Sequence, residues 1–154
     1  MPKPVVLSTP QALTEFVGRE LAASDWFVVT QERIQQFAEA TSDHQWIHTN
    51  PERAGRESPY GTTIAHGFLT LSLLSQMLQQ AILVQGVRRA INYGLNRVRF
   101  PAPVRAGAKI RARFNLHSFK NVAGGVEAVY DVTVEAQGEE KPCCAAEWIV
   151  RYYV

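Results

Sequence analysis

The sequence has only two cysteines, Cys143 and Cys144, and they are adjacent. Adjacent cysteines have a poor geometry for a disulfide, so the chain is not a disulfide-stapled secreted domain. Long apolar runs are also missing, since no stretch approaches the roughly 18 residues needed to span a bilayer. Near the N-terminus only three apolar residues stand in a row, too few for the core of a signal peptide. We therefore expect a cytoplasmic protein without a membrane partner.

Charge is scarce as well. Charged residues make up 19% of the 154 residues and the formal net charge is only +2, which argues against a nucleic-acid partner. Hydrophobic residues make up 46%, a composition typical of a globular domain rather than a disordered chain. Internal repeats, low-complexity tracts and linkers are not evident. These observations predict a single domain over residues 1–154.

The first half of the chain carries helical patterns. Thr30 is a suitable N-cap for a helix that ends near Thr41. Residues 51–61 are rich in charge, glycine and proline, which indicates a loop with at most one helical turn. Residues 66–83 are apolar almost all round, and this pattern predicts a buried helix. At about 1.5 Å per residue the helix would be about 27 Å long.

After residue 90 the hydrophobic period changes from helical to alternating. The strand candidates are residues 91–100, 108–119, 124–138 and 143–154. In the second of them, apolar residues from Ile110 to Leu116 share one face and charged or polar residues share the other. The alternation indicates an antiparallel sheet with one buried face. We therefore predict an α+β fold in which the sheet wraps around the buried helix.

Histidine is rare too, yet two of the four histidines lie in one short stretch, "DHQWIH". Asp43 and His48 are five residues apart, where the preceding helix ends. A carboxylate and an imidazole a few ångströms apart can share a water molecule. The carboxylate then takes its proton, while the imidazole orients the water or supplies a proton elsewhere. Two alternatives stay open: a turn cap beside an ordinary loop histidine, or a metal site built from His44 and His48.

His66 and Gly67 stand where the apolar helix begins. The first N–H groups of a helix have no internal partners, and the helix dipole makes this end positive. Such an end can stabilise the oxyanion that forms when a thioester carbonyl becomes an enolate. Alternatively, Gly67 only avoids a clash at the helix start. Ser72 is either a site residue or a serine that bonds to the backbone four residues earlier.

Together these stretches resemble the MaoC-like dehydratases, the (R)-specific enoyl-CoA hydratases of the hot-dog fold. The family pattern is Asp-x-x-x-x-His-x-Asp/Asn-Pro, followed by His-Gly at the start of the central helix. It is matched in order by Asp43, His48, Asn50, Pro51, His66 and Gly67. The later segment "INYGLNRVRFPAPVRAG" is similar to the branch that includes nodulation protein N. Asn50, where many members have aspartate, is a modest departure outside the dyad.

The resemblance implies a long central helix wrapped by an antiparallel sheet, and a homodimer with acyl-CoA pockets at the subunit interface. It also implies that Asp43 and His48 form the dyad that activates water, and that the Gly67 amide donates to the thioester carbonyl. Ser72 falls where members often carry a serine that hydrogen-bonds in the site. We place Ser72 and His66 among the substrate-binding residues.

The phosphates of CoA need cations, and arginines on the first long strand are candidates. We select Arg97 and Arg99, although alternating arginines on a strand usually mark a solvated face.

The implied reaction is the reversible hydration of trans-2-enoyl-CoA to (R)-3-hydroxyacyl-CoA, with no cofactor and no metal ion. The acyl carrier can be CoA or acyl carrier protein. Two other functions stay open, because one fold serves several chemistries. One is a non-catalytic acyl-thioester-binding protein similar to nodulation protein N. The other is a hot-dog thioesterase, which would attack the carbonyl carbon.

Overall fold

The second half of the chain forms a long antiparallel sheet. This computed structural model describes residues 3–154. Most of the sheet is supplied by β5 (Arg89–Arg99), β6 (Lys109–Val122), β7 (Gly125–Ala136) and β8 (Cys144–Tyr153). Their order is β6-β7-β8-β5, and β6 also pairs with β2 (Glu20–Ala23) and β3 (Phe27–Val28). The four predicted strands, their antiparallel pairing and the α+β fold class are confirmed.

Alternation along the strands determines which face of the sheet is buried. In β6 the apolar residues at every second position from Ile110 to Leu116 are fully buried, as predicted. The side chains between them point away from the core, and Arg111 and Arg113 each donate to the carboxylate of Glu135 on β7, at 2.8 and 2.7 Å. The sheet therefore has one apolar face and one face covered by ion pairs.

Helices pack against the apolar face. They are α1 (Gln31–Thr41), α2 (Trp46–Thr49), α3 (Pro51–Glu57), α4 (Gly67–Ser72) and α5 (Leu74–Ala81), preceded by a 3₁₀ helix over Pro10–Phe16. Leu74 and Met77 of α5 join Phe114 and Tyr130 of the sheet in one buried cluster. The Thr30 hydroxyl accepts a hydrogen bond from the Arg33 amide at 3.1 Å, so the predicted N-cap of α1 is confirmed.

The central helix exists, but it is shorter than predicted and it is interrupted. It consists of α4 and α5, separated at Leu73, and the chain leaves the helix for the short strand β4 (Ile82–Val84). The Ser72 hydroxyl donates to the carbonyl oxygen of Phe68 at 2.7 Å. A serine that bonds to the preceding turn weakens and bends a helix. The contact lies directly beside the interruption at Leu73.

Two further expectations from the sequence were wrong. Residues 51–57 form helix α3 rather than a loop. The Asn50 side chain accepts from the Arg53 amide at 3.0 Å, and Pro51 occupies the first turn, where its missing N–H does no harm. Second, β1 (Val5–Leu7) pairs in parallel with β4, at the end of the segment predicted to be helical. Three-residue strands are too short to stand out in a hydrophobic pattern.

Strand β5 is the open edge of the main sheet. Ile91, Tyr93 and Leu95 on it are 41%, 55% and 37% exposed, and Phe68 on the neighbouring helix α4 is 69% exposed. The central helix is thus uncovered along one side, contrary to the prediction that it is fully buried. No helix within residues 3–154 is long and apolar enough to cross a membrane.

Candidate active site

Asp43 is positioned by the end of helix α1. Ser42 adopts a left-handed backbone conformation with φ of 61°, which turns the chain sharply after Thr41. The Asp43 amide donates to the carbonyl oxygen of Ala38 at 3.1 Å, and its carboxylate accepts a long hydrogen bond of 3.4 Å from the Gln45 amide. The carboxylate is about half exposed. A negatively charged group is therefore held at the surface with room for a water molecule beside it.

His48 lies on the single-turn helix α2 and is only 7% exposed. Its Nδ1 is 2.7 Å from the carbonyl oxygen of Ile64. Because a carbonyl oxygen can only accept, Nδ1 carries the proton in the neutral ring and Nε2 is left with a free lone pair. Burial, supported by repulsion from His66, lowers the pKa of His48, against the opposing effects of Ile64 and Asp43. The ring is therefore a neutral hydrogen-bond acceptor at pH 7.

His66 lies beneath His48. The two rings stack with centroids 3.8 Å apart and 23° between their planes, and Phe37 packs against His66 at 4.9 Å. The Nε2 of His66 is 3.0 Å from the carbonyl oxygen of Asp43 and 3.9 Å from its carboxylate. The ring is 3% exposed, and its Nδ1 is buried with no hydrogen-bond partner among the described residues.

The three side chains form one compact cluster. A carboxylate oxygen of Asp43 and one ring nitrogen from each histidine lie within 4.8 Å of one another. Two acceptors at this separation can be bridged by one water molecule, since each hydrogen bond to it spans about 2.8 Å. A metal ion fits less well, because imidazole lone pairs lie in the ring plane, and the stacked rings keep the two lone pairs in nearly parallel planes. The prediction of a site without metal stays a prediction.

Gly67 opens helix α4 directly after His66. Its amide is at the first helical position, where it has no acceptor within the helix. A side chain at this position would meet the ring of Phe100 at 3.0 Å, so only glycine fits without displacing that ring. Gly67, His48, Ile64, Thr70, Phe100 and Cys143 are among the residues around a cavity of about 240 Å³. The structure therefore brings the predicted oxyanion donor and His48 to one cavity.

A family model described as "MaoC like domain" matches residues 13–138. The chain belongs to the MaoC-like family. Its likeness to a relative named as a dehydratase confirms the predicted class of enzyme at the level of the family.

Two curated relatives and one solved structure are similar to this chain over most of its length. The chain is 52% identical over 141 residues to 3-hydroxyacyl-thioester dehydratase Z of Mycobacterium tuberculosis (strain H37Rv), covering 91% of this chain and 93% of that protein. It is 48% identical over 135 residues to nodulation protein N of Rhizobium leguminosarum bv. viciae, covering 86% and 84%. The (R)-hydratase from A. caviae involved in PHA biosynthesis superposes with a TM-score of 0.71 at 22% identity, covering 87% and 94%. That structural likeness confirms the hot-dog fold.

The remaining predicted residues of the MaoC-like chain lie apart from the cluster. Ser72 is exposed beside a separate cavity of about 320 Å³ that also touches Leu95 of β5. Arg97 and Arg99 are exposed at the edge of the sheet, around a third cavity of about 530 Å³. Neither arginine forms an ion pair within residues 3–154. Their assignment to substrate binding stays a prediction.

Sequence reasoning missed a buried polar connection behind the site. Gln31 donates to the carbonyl oxygen of His48 at 2.8 Å, and its own side-chain oxygen accepts from the hydroxyl of Thr63. Thr63 is 1% exposed. The position of Thr63, two residues after the Gly61 turn and close to the His-Gly pair, was a weak signal. Nothing in the sequence marked Gln31.

Proposed function

We propose that the protein catalyses the reversible syn addition of water to a trans-2-enoyl-CoA, giving the (R)-3-hydroxyacyl-CoA. The observation that carries this proposal is the cluster of Asp43 and His48, whose ligand atoms lie within 4.8 Å of each other. His48 and Gly67 in turn border one cavity. The 52% identical relative is named as a dehydratase of 3-hydroxyacyl thioesters, which is the same reaction in reverse. CoA is the carrier we expect, with acyl carrier protein as the alternative.

The water molecule is held by two acceptors. The Asp43 carboxylate accepts one of its hydrogens and Nε2 of His48 accepts the other, because the contact with Ile64 fixes the proton of His48 on Nδ1. With both hydrogens engaged, a lone pair of the water oxygen is free to attack C3 of the enoyl chain. This arrangement converts an encounter with bulk water into an attack from a fixed position.

The proton that reaches C2 is the one that leaves the water. Neither Asp43 nor neutral His48 carries a spare proton at the start, so the group that takes the proton from water must pass it on to C2. The C3–O bond and the C2–H bond form while one O–H bond of water and the C2–C3 π bond break. Because water and proton come from the same group of residues, both are added to one face of the double bond.

The Gly67 amide stabilises the intermediate charge. As water attacks C3, negative charge develops on the thioester carbonyl oxygen, and a donor at the positive end of α4 lowers the energy of that enolate. One donor of this kind is typically worth about 10²–10³ in kcat.

Two further parts of the proposal concern binding and assembly. Arg97 and Arg99 are free of ion pairs within residues 3–154 and follow the edge strand toward Phe100, which borders the His48 cavity. We assign them to the phosphates of CoA. The exposed apolar edge of β5 is the surface we assign to a homodimer contact. We place the reaction in the cytoplasm, where the two free cysteines stay reduced.

The first experiment follows the enoyl-thioester absorbance of crotonyl-CoA with wild-type protein and with Asp43→Asn. We expect wild type to remove the band and to form the (R)-alcohol. The variant keeps the shape of the side chain but not its charge, so turnover should fall at least about 10²-fold. His48→Ala should give a similar loss.

Three results would contradict the assignment. A folded Asp43→Asn variant with full activity removes Asp43 from the mechanism. Release of free thiol from acyl-CoA indicates a thioesterase instead. If crotonyl-CoA and longer enoyl-CoA esters bind in calorimetry but are not converted, the protein is an acyl-thioester-binding relative, and its 48% identity to nodulation protein N then becomes the informative comparison.

A further inference from the structure

The neighbours of His66 in the chain face the cavity, but His66 does not. Ala65 and Gly67 both border the cavity that contains His48, whereas the ring of His66 lies outside its lining and is 3% exposed. The ring is held between the imidazole of His48 and the phenyl ring of Phe37. A substrate molecule in the cavity therefore meets the residues on either side of His66 rather than its ring.

The hydrogen bond of His66 fixes the segment that carries Asp43. Its Nε2 donates to the main-chain oxygen of Asp43 at 3.0 Å, while the amide of Asp43 is bonded to Ala38 at 3.1 Å. These two contacts hold the residue from both sides of its Cα atom. The carboxylate is half exposed, and its side chain makes only a long contact with Gln45, 3.4 Å. Its position relative to His48 thus depends on the main-chain anchor.

The main chain of His66 also starts helix α4. Its carbonyl oxygen accepts from the amides of Leu69 and Thr70 at 3.0 and 3.2 Å, which places Gly67 at the first helical position. One residue is therefore joined to all three proposed catalytic groups: to Asp43 by a hydrogen bond, to His48 by ring stacking and to Gly67 by a peptide bond.

The unpaired nitrogen of His66 shows that packing is not the reason for a histidine here. The carbonyl oxygen of Asp43 requires the proton to be on Nε2, so the buried Nδ1 is an acceptor without a partner in the described part of the chain. A buried unpaired acceptor destabilises a folded protein. Phenylalanine would fill the same space without this penalty, so the Nε2 donor is the feature that phenylalanine could not replace.

We propose that His66 is a positioning residue, which holds the Asp43 carboxylate and the His48 ring at the separation that one water molecule bridges. This inference rests on the proposed hydratase function. The sequence predicted that His66 binds the substrate directly. In the present proposal it acts on the reaction through Asp43 and His48 instead.

Two substitutions separate the contributions of His66. His66→Phe keeps a ring to stack on His48 and removes both the donor and the unpaired acceptor. His66→Gln keeps an N–H group at a similar reach and removes the ring. We expect His66→Phe to unfold at the same temperature as wild type or higher, yet to lower kcat about 10- to 100-fold with little change in KM, because small misplacements of reacting groups have effects of this size. His66→Gln should retain more of kcat than His66→Phe.

A double variant tests whether His66 acts through Asp43. In the Asp43→Asn background, adding His66→Phe should reduce kcat no further, because residues that act as a unit have non-additive effects. His44→Phe, at an exposed histidine of the same loop, is the matched control and should leave kcat unchanged. Wild-type kcat in His66→Phe, or an equal further loss in the Asp43→Asn background, overturns the proposal.

A crystal structure of His66→Phe provides a readout that does not require turnover. We expect the Asp43 segment to shift, so that its carboxylate and the ring nitrogen of His48 lie beyond the 4.8 Å of the wild-type cluster. An unchanged separation overturns the positioning role, whether or not wild type converts enoyl-CoA. If wild type is inactive and the separation increases, the proposed function fails while the positioning role stands.

Discussion

Asp43 and His48 have very different surroundings although they are five residues apart. The carboxylate is half exposed and its place is set by main-chain bonds to Ala38 and His66. The imidazole is buried and fixed through Nδ1 by the carbonyl of Ile64. A carboxylate accepts hydrogen bonds through its oxygens, and a buried imidazole loses its proton more readily. The pair thus offers two acceptors to water at neutral pH.

The lowered pKa of His48 predicts the pH dependence of the reaction. Burial pushes its pKa below the usual value of about 6.5 for histidine. Nε2 must be unprotonated to accept from water, so kcat/KM should fall as the pH drops through the lowered pKa, with its midpoint below pH 6.5. The measurement is kcat/KM for an enoyl-CoA over a range of pH. In parallel, the ¹⁵N resonances of the His48 ring identify the titrating group.

A fall in kcat/KM whose midpoint lies at or above pH 6.5 would contradict the neutral, buried state of His48. So would ring resonances of His48 that titrate at or above the usual value.

Single residues of the site were predictable from sequence only where they are neighbours in the chain. Asp43 and His48 share one turn-rich segment, so their proximity follows from a short spacing. His66 comes 18 residues after His48 along the chain, and its stacking depends on how α4 meets α2. The spacing could identify His66 as a site residue, but not that its ring is buried under His48.

Three elements meet behind the site through a side-chain amide. The side chain of Gln31, the first residue of α1, donates to the main-chain oxygen of His48 on α2. It also accepts from the hydroxyl of Thr63, which precedes α4. Thr63 is only 1% exposed, so its hydrogen bond to Gln31 is shielded from water. Elements that are far apart in sequence are therefore tied together directly under the dyad.

Removing the hydroxyl of Thr63 should weaken this connection. Thr63→Val keeps the shape of the side chain but leaves the side-chain oxygen of Gln31 without its partner. The free energy of unfolding should fall by about 1–3 kcal/mol, the usual effect of a buried unpaired polar group. Urea unfolding measures it, and Thr63→Ser, which retains the hydroxyl, is the matched control. Equal stability of the two variants would show that the Gln31 contact does not contribute.

Hydrophobic periodicity predicted the long elements well and their interruptions poorly. Strand β6 alternates so regularly that its buried face could be read from the sequence. The central helix has a continuous apolar pattern, which does not reveal the interruption at Leu73. The Ser72 hydroxyl beside it donates to the carbonyl oxygen of Phe68, and a hydrophobic pattern does not report the hydrogen bonds of a hydroxyl. Helix α3 was missed for the opposite reason: it has no apolar face, since Ala54 is its only buried residue, although Asn50 and Pro51 are good start signals.

The edge strand β5 determines how the molecule can associate. An exposed strand edge with apolar side chains is open to pairing with another chain. The uncovered side of the central helix, with Phe68, lies next to this edge. A second copy joined there would cover both surfaces at once, and it would add its own residues close to the cavities along α4 and α5.

A charge on this edge should prevent dimer formation. Leu95→Lys places a cation on the exposed strand, whereas Val28→Lys adds the same charge to a side chain of similar exposure on β3, 41% against 37%. In sedimentation equilibrium we expect wild type and Val28→Lys to have twice the mass of the chain and Leu95→Lys to be a monomer. Turnover of Leu95→Lys should fall as well, because the monomer lacks the residues that a second copy would add close to the cavities.

A dimeric Leu95→Lys variant would place the subunit contact elsewhere. A monomeric wild type with full activity would show that one chain carries a complete site.

Cys143 and Cys144 are buried close to the proposed active site, but their thiols are held in the unreactive protonated form. Cys143 borders the His48 cavity, yet burial and the adjacent Cys144 raise the pKa of its thiol to about 12, and burial raises that of Cys144 to about 11. Only the thiolate reacts with alkylating reagents and oxidants. The folded enzyme should therefore keep its activity in air and in iodoacetamide. Since the thiols become reactive only when the core around them opens, the rate of their labelling reports how often this local opening occurs.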